Sequence, residues 1–329
     1  MSEAQNVPTF NTKKPCVIMV LGQTASGKTR FAVNLAKLLN SVVVCADAFQ
    51  VYRDFSVATD KITVEEMDGV LHYGLDLVPA TSEFTVKDFL VYSVPVIEQE
   101  LAKGRSVIVV GGTHMYLEKL LFTSCLDSDE VCVLNKCLPC EFTHAHLSTI
   151  DPEMALRLHP NDIRRISRAI EFYYSTGSQM SRHLSDQNRS VRFENVCVIC
   201  KIGEENVENL IRLRIEQKML ANNALLNELI EIDAHVQRGE MHWKKGLLQA
   251  IGYREFESNS ENTSTRTTLL PEQISQMISN TLKYSKKQRK WINKIEKCIK
   301  IHKIQTFNVN EIINILSDTS IQWVTPPKW

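Results

Sequence analysis

A glycine-rich segment near the N-terminus constrains the fold of this chain more than any other feature. Residues 22–29 read GQTASGKT, which satisfies the pattern G-x-x-x-x-G-K-[ST]. An apolar run at 16–21 precedes the segment, and Phe31, Leu35 and Leu38 follow it at helical spacing. The backbone amides of such a turn and the N-terminus of the following helix attract a phosphate group. The segment therefore predicts a phosphate-binding loop between a strand and a helix.

Later apolar runs continue this strand–loop–helix unit as an alternating pattern. Strand-sized runs occur at 41–45, 107–110 and 196–202, and helical patterns separate them. Strands that alternate with helices are typical of a parallel sheet with helices on both faces. We therefore expect an α/β fold, namely a P-loop NTPase-like parallel sheet with flanking helices and a small, shortened helical insert.

The regular pattern breaks at a few points, which suggest the boundaries of the parts. Residues 1–14 are polar and are expected to form a disordered lead. The P-loop catalytic core is assigned to 15–122 and 159–300, and the irregular stretch 123–158 is assigned to the insert. Residues 301–329 are expected to be a C-terminal extension.

Composition limits the partners of the chain. It carries 38 Lys and Arg residues against 38 Asp and Glu residues, so RNA binding requires a local basic patch. The apolar runs are far shorter than the roughly 20 residues of a membrane span, and we expect no membrane association. Nine cysteines without an even framework suit a reducing compartment and predict a cytoplasmic protein, with a mitochondrial pool left open. Cys137 and Cys140 are a weak zinc signal, and nothing demands an obligate protein partner.

The positions of the carboxylates argue against nucleotide hydrolysis. Hydrolases with this loop hold magnesium partly through an Asp that follows a later strand. Here the run 107–110 is followed by Gly111, Gly112 and Thr113. Asp47 follows the second strand instead, which puts it on the same carboxyl edge of the sheet as the phosphate loop. We expect Asp47 to act on a group beside the phosphates, and a turn-capping role stays open on this evidence.

Five further segments occur in order over about residues 15–295. They are ADAFQVYR with Thr59 and Lys61, VGGTHMY, HPNDIRRISRAIEFYYSTG, QAIGYREF and TLKYSKKQRKW. Together these segments resemble the tRNA dimethylallyltransferases, also called tRNA isopentenyltransferases. This chain departs from the family at Gln23, at Ala48 with Phe49, and at Ala58, and it has a shorter stretch before His159.

The resemblance implies that the phosphate loop holds dimethylallyl diphosphate. Departure of the diphosphate builds negative charge, which hydrogen-bond donors and cations stabilise. By the matched positions, Thr24 bonds the leaving oxygen, while Lys28 and Arg214 clamp the diphosphate. Thr29 helps to hold Mg²⁺. The implied diphosphate-binding residues are Gly22, Thr24, Ala25, Ser26, Gly27, Lys28, Thr29 and Arg214.

The resemblance also implies an acceptor, the exocyclic N6 amine of the adenosine next to the anticodon in tRNA. This amine is a weak nucleophile, and Asp47 takes up its proton as the carbon–nitrogen bond forms. The adenosine leaves the stack of its loop to reach the donor. The catalytic residues would then be Asp47, Thr24 and Arg214. The implied tRNA-binding residues are Asp47, Gln50, Thr113, Arg164, Arg165, Arg168, Gln249, Gly252, Tyr253, Arg254, Lys287 and Gln288.

Two polar residues, Thr281 and Gln288, occupy apolar-stripe positions of a predicted helix and should need polar partners.

Three other functions are weighed against tRNA modification. An adenylate isopentenyltransferase would share the loop and Asp47 but act on free AMP, ADP or ATP. A small-molecule or nucleotide kinase would need an arginine-rich lid, which the sequence lacks. A non-catalytic RNA-binding module would not need Thr24, Lys28, Asp47 and Arg214 together.

Overall fold

The computed structural model describes residues 14–123, 142–185, 190–203, 206–257 and 266–317. The predicted disordered lead, 1–14, lies outside the described residues except for Lys14, and so do Cys137 and Cys140. Within the described residues, no helix combines the length and apolar character that crossing a bilayer requires.

A parallel sheet of six strands forms the centre of the larger part of the chain, as the alternating pattern predicts. Its order is β3-β2-β4-β1-β5-β6, and every neighbouring pair is parallel. Residues in β1, β2 and β4 are buried throughout, because helices cover both faces. The strands are β1 Val17–Leu21, β2 Val42–Cys45, β3 His72–Tyr73, β4 Val107–Val110, β5 Val196–Lys201 and β6 His302–Ile304.

Twelve α-helices are described. They are α1 Lys28–Leu39, α2 Val64–Met67, α3 Val86–Ala102, α4 His114–Leu121, α5 His144–Ile150, α6 Pro152–Arg157, α7 Ile163–Thr176, α8 Met180–Ser185, α9 Val207–Arg214, α10 Ala224–Gln237, α11 Pro271–Glu296 and α12 Val309–Leu316. A π-helical turn, Ile215–Leu220, continues α9, and short 3₁₀ turns lie at Ala221–Asn223, Gly246–Gln249 and Arg254–Phe256.

Two apolar clusters hold this larger part together. One cluster joins the strands to α1 and α12, and its members include Ile18, Leu35 and Ile312. The other cluster joins α9, α10 and α11, and its members include Ile211 and Leu229. Both clusters consist of fully or almost fully buried side chains, so burial of apolar surface is the main source of their stability.

The chain divides into two compact units that differ from the predicted boundaries. Of the described residues, those within 14–120 and 193–317 form the larger unit, and those within 121–192 form the smaller unit. The described residues of the predicted insert, 123–158, are therefore only part of the smaller unit. In that unit Leu147 and Leu158 share an apolar cluster with Ile166 and Ile170 of α7, which the sequence analysis assigned to the core.

The C-terminal extension predicted from residue 301 is also corrected for its described part. Strand β6 pairs with β5 in parallel, so the sheet continues beyond residue 300. Ile304, Ile312 and Leu316 are buried in the cluster that contains Ile18. Residues 301–316 therefore belong to the core of the larger unit.

Candidate active site

The phosphate loop lies between β1 and α1, where its sequence places it. Two of its residues adopt left-handed backbone angles, Ala25 with φ 61° and Gly27 with φ 77°. A Cβ atom at Gly22 would lie 2.9 Å from the Lys201 carbonyl oxygen, so this approach of the loop to β5 requires glycine. The turn and the first residues of α1 expose backbone amides at the carboxyl edge of the sheet.

A cavity of about 430 Å³ opens beside this loop, at the carboxyl ends of β2 and β4. Its volume lies within the range of small-molecule sites. Apolar side chains such as Val43, Ile62 and Met277 share the lining with the polar groups. The predicted site residues that line it are Thr24, Lys28, Thr29, Asp47, Gln50, Thr113, Arg214, Gln249, Arg254 and Gln288.

Asp47 is held as an ionisable acceptor at this cavity. Its Oδ1 accepts a hydrogen bond from the Phe49 amide at 3.0 Å, and its Oδ2 accepts one from the Gly112 amide at 3.3 Å. Burial raises the pKa of Asp47 above the ordinary value, and the Phe49 amide and Lys28 offset only part of this rise. A raised pKa brings the carboxyl closer to the range in which a general base works.

The two glycines after β4 make this arrangement possible. A Cβ atom at Gly111 would overlap the backbone of Ala46, and one at Gly112 would lie 2.9 Å from Asp47 Oδ2. Ala46 and Asp47 therefore pack directly against Gly111 and Gly112. The sequence has glycines instead of a carboxylate directly after β4 because this close packing leaves no room for a side chain.

Lys28 lies at the phosphate end of the cavity. Its pKa is lowered to about 8, mainly by burial and also by the neighbouring charge of Arg214, while Asp47 and Asp60 oppose this shift. Its Nζ donates to the Gln23 carbonyl at 3.2 Å. A cation whose charge lowers the pKa of a neighbouring lysine indicates a place that is suited to an anion.

Arg214 reaches the same end of the cavity from α9. Its Nη1 lies 3.0 Å from Asp60 Oδ2, and its buried Nε has no hydrogen-bond partner among the described residues. Asp60 also lies 3.5 Å from Lys218 Nζ. The guanidinium therefore lies at this end of the cavity, and in this structure its partner is a carboxylate.

Gln288 of α11 ties the loop to the glycine pair. Its Oε1 accepts from the Thr24 amide at 2.7 Å, and its Nε2 donates to the Gly112 carbonyl at 2.9 Å. The Tyr284 hydroxyl donates to the same carbonyl at 2.6 Å. Thr281 donates to the Met277 carbonyl at 2.8 Å within the helix. The prediction that Thr281 and Gln288 need polar partners is confirmed.

Several predicted tRNA-binding residues have other surroundings. Tyr253 is fully buried and its hydroxyl donates to Glu228 at 2.6 Å, so it cannot present its side chain to RNA. Gly252 is buried with φ +105° and packs against Ala58, which makes it a structural glycine. These two assignments are corrected.

Other predicted residues are used differently from the expectation or lie outside the cavity lining. Gln50 lines the cavity, but its amide donates to the carbonyls of Thr59 at 3.2 Å and Asp60 at 3.3 Å. The loop residues Ala25 and Gly27 line a neighbouring cavity, which shares Lys28, Thr29 and Arg214 with the first one. The hydroxyl of Ser26 is buried.

The predicted basic RNA contacts lie on exposed helix faces. Lys287 is exposed on α11 in the larger unit. Arg164, Arg165 and Arg168 are exposed on α7 in the smaller unit, where Arg165 lies 3.4 Å from Asp162. Their accessibility is compatible with an RNA contact, which stays a prediction.

Sequence reasoning missed four residues that line the cavity, namely Cys45, Asp60, His72 and Tyr284. Two of them carried a readable signal. Asp60 lies between Thr59 and Lys61, which were noted, and Tyr284 continues the helical spacing of Thr281 and Gln288. No local pattern distinguishes Cys45 or His72 from ordinary strand residues.

Fold and site together define a P-loop enzyme in which the carboxylate of Asp47 lines the cavity beside the phosphate loop, while glycines follow β4. The family model described as IPP transferase matches residues 50–295. The chain belongs to the IPP transferase family.

Curated relatives and solved structures agree with this membership. The tRNA dimethylallyltransferase of Bacillus mycoides is 31% identical over 291 residues, which cover 85% of this chain and 88% of the relative. A eukaryotic dimethylallyltransferase acting on tRNA superposes with a TM-score of 0.73 at 26% identity, over 85% of this chain and 70% of that one. The tRNA isopentenylpyrophosphate transferase of Bacillus halodurans has a TM-score of 0.61 at 27% identity, over 92% and 95% of the two chains.

Proposed function

We propose that this protein transfers a dimethylallyl group from dimethylallyl diphosphate to the N6 amine of the adenosine next to the anticodon in tRNA. The observation that carries the proposal is the shared cavity, in which the phosphate-loop residues Thr24 and Lys28 lie with the buried carboxylate of Asp47. The relatives are named as enzymes that act on tRNA, which favours tRNA over free AMP, ADP or ATP as the acceptor. The predicted cytoplasmic location is part of the proposal.

At the donor end, the residues of the loop stabilise the leaving diphosphate. The bond between the allylic carbon and the bridging oxygen breaks, and its electron pair leaves with the diphosphate. Lys28 and Arg214 balance the charge that develops, while the Thr24 hydroxyl donates to the leaving oxygen. The apolar lining around Ile62 and Met277 suits the hydrocarbon part of the donor and excludes water from the allylic cation.

At the acceptor end, the amine lone pair forms the new carbon–nitrogen bond, and the displaced proton passes to Asp47. The Asp47 carboxylate accepts hydrogen bonds from the Phe49 and Gly112 amides, and the Gln50 amide also acts on it. A carboxylate has about four lone-pair sites, so acceptor capacity remains for the amine. Because backbone amides fix the carboxylate, the base meets the amine without reorganising.

The family implies Mg²⁺, and the chain offers few ligands of its own. Among the described residues there is no cluster of three acidic, histidine or cysteine side chains that could hold a metal. Thr29 is exposed at the start of α1 and lines the cavity. This fits Mg²⁺, which keeps several waters and binds through substrate phosphates with a few protein oxygens. When bound, the ion would neutralise part of the charge on the diphosphate.

One assay tests the proposal against its alternatives. The protein is incubated with labelled dimethylallyl diphosphate and, in parallel, with unmodified tRNA, AMP and ATP. We expect label in tRNA alone. Label in AMP or ATP but not in tRNA would identify an adenylate isopentenyltransferase. Consumption of ATP without prenyl transfer would indicate a kinase.

The role of Asp47 is tested with a matched pair of variants. Asp47→Asn should lower kcat by roughly 10²–10⁴-fold, the usual contribution of a general base, while binding of dimethylallyl diphosphate changes little. The control is Asp54→Asn, which alters an exposed carboxylate in the same segment and should leave kcat unchanged. Loss of donor binding in Asp47→Asn would refute the general-base role.

A further inference from the structure

We propose that Asp60 is the resting partner of Arg214, and that exchange of the guanidinium between Asp60 and diphosphate sets how tightly the donor and the diphosphate product bind. The proposal rests on the proposed function, in which Arg214 binds the diphosphate. It assigns to Asp60 a positioning role that acts through Arg214.

Arg214 does not use all of its hydrogen-bond donors within the described part of the chain. Its Nη1 bonds Asp60 at 3.0 Å, whereas its buried Nε has no partner among the described residues. A buried donor without a partner is costly, and a ligand oxygen relieves that cost. Arg214 and Asp60 both line the cavity that contains Lys28. The guanidinium is therefore held beside the phosphate end of the cavity while part of its donor set is unused.

Hydrogen bonds hold the backbone of the turn that carries Asp60. Asp60 adopts φ +49°, and its amide donates to the Val57 carbonyl at 3.1 Å. Its carbonyl accepts from Gln50 Nε2 at 3.3 Å, and the Cys45 thiol donates to Gln50 Oε1 at 3.1 Å. Because the turn is held from both sides, release of the ion pair requires movement of Arg214 rather than of Asp60.

Lys218 gives the Asp60 carboxylate a second cationic partner. Lys218 Nζ lies 3.5 Å from Asp60 Oδ1 and 2.7 Å from Glu66 Oε1. When Arg214 turns to the diphosphate, the Asp60 carboxylate still has a cation beside it. The partly buried Asp60 carboxylate is therefore not left without a cation during the exchange. An isolated charge at such a place would be costly.

The direction of the effect follows from the signs of the charges. The Asp60 carboxylate competes with diphosphate for Arg214, and its negative charge also repels diphosphate. Removing that charge should strengthen diphosphate binding about tenfold, since unit charges a few ångströms apart near a protein surface interact strongly. The same competition helps Arg214 to release the product once the carbon–oxygen bond has broken.

Asp60→Asn tests the proposal, because Asn keeps the shape and tolerates the left-handed backbone. Titration calorimetry with inorganic diphosphate should show a Kd about tenfold lower than in the unaltered protein. The KM for dimethylallyl diphosphate should fall, whereas the KM for tRNA should not change. An unchanged or higher Kd for inorganic diphosphate would overturn the proposal.

Two comparisons separate the exchange from a general effect of charge. Glu66→Gln removes an equal charge beside Lys218 without touching Arg214, and its Kd should stay within about twofold. In an Arg214→Ala background, Asp60→Asn should have a clearly smaller effect on the Kd, because only the direct repulsion between Asp60 and diphosphate remains, and an undiminished effect there would refute the exchange. If the unaltered protein did not bind inorganic diphosphate, the proposed donor site itself would be wrong, and the exchange with it.

Discussion

At the scale of single residues, Asp47 combines burial with a need to ionise. Burial raises its pKa, while the amides of Phe49 and Gly112 and the charge of Lys28 partly restore the ionised form. Such a balance is common at functional sites, because it produces a base that is both stronger than usual and firmly oriented. Gly112 is essential to it, since a side chain there would displace the carboxylate.

This balance predicts the pH dependence of the reaction. Transfer requires ionised Asp47, so kcat/KM for tRNA should fall as the pH drops through the pKa of Asp47. Because burial raises that pKa, the fall should begin above the ordinary aspartate value of about 3.9. A pH–rate profile with saturating donor measures the effect. Asp47→Asn should flatten this acid limb, and an unaltered limb in the variant would assign it to another group.

The sequence was informative about individual residues wherever a motif fixes their backbone. Lys28 and Asp47 could be predicted because a loop pattern and a strand end place them on one edge of the sheet. The partner of Arg214 could not be predicted, since Asp60 lies 154 residues away and the pairing depends on side-chain packing. Tyr253 was misassigned for a related reason. Its motif reveals its importance but not that its side chain points into the core.

At the scale of secondary structure elements, α11 connects the core to the site. Met277 of this helix is buried in the apolar cluster, and Gln288, about three turns further along the same face, reaches the loop. Apolar periodicity predicts the helix, and polar residues within its stripe predict a buried polar contact. The sequence missed the π-helical turn after α9 and the three-residue strand β6, because both are too short to produce a period.

Replacing Gln288 tests whether α11 positions the loop. Gln288→Leu leaves the buried Thr24 amide without its acceptor, which should cost about 1–3 kcal/mol of unfolding free energy. The Gly112 carbonyl keeps its bond from Tyr284. We expect the KM for dimethylallyl diphosphate to rise as Thr24 loses its support. Urea unfolding and donor kinetics give the two values.

The control for this variant is Gln276→Leu on the exposed face of the same helix. Its unfolding free energy should stay within about 0.5 kcal/mol, because the lost bond to Asn280 is solvated. If Gln288→Leu lowered stability but left the donor KM unchanged, the helix would support the fold without positioning the loop.

At the scale of the whole molecule, the order of the strands explains why distant segments share one site. β1 lies between β4 and β5, so the loop after β1 meets the glycines that follow β4. Alternating strands and helices predict such a sheet, but not where the chain leaves it. The boundary at residue 300 was wrong because packing of Ile304 and Ile312 with residues such as Ile18, nearly 300 positions earlier, has no local signature.

The same packing predicts that the C-terminal segment stabilises the larger unit. Ile312 is fully buried against the sheet, whereas Val309 of the same helix is 40% exposed. Ile312→Ala should therefore lower the unfolding free energy by about 2–5 kcal/mol, the cost of a cavity in a packed core. Val309→Ala, the matched control, should change it by about 0.5 kcal/mol or less. Equal effects of the two substitutions on urea unfolding would show that α12 is not part of the core.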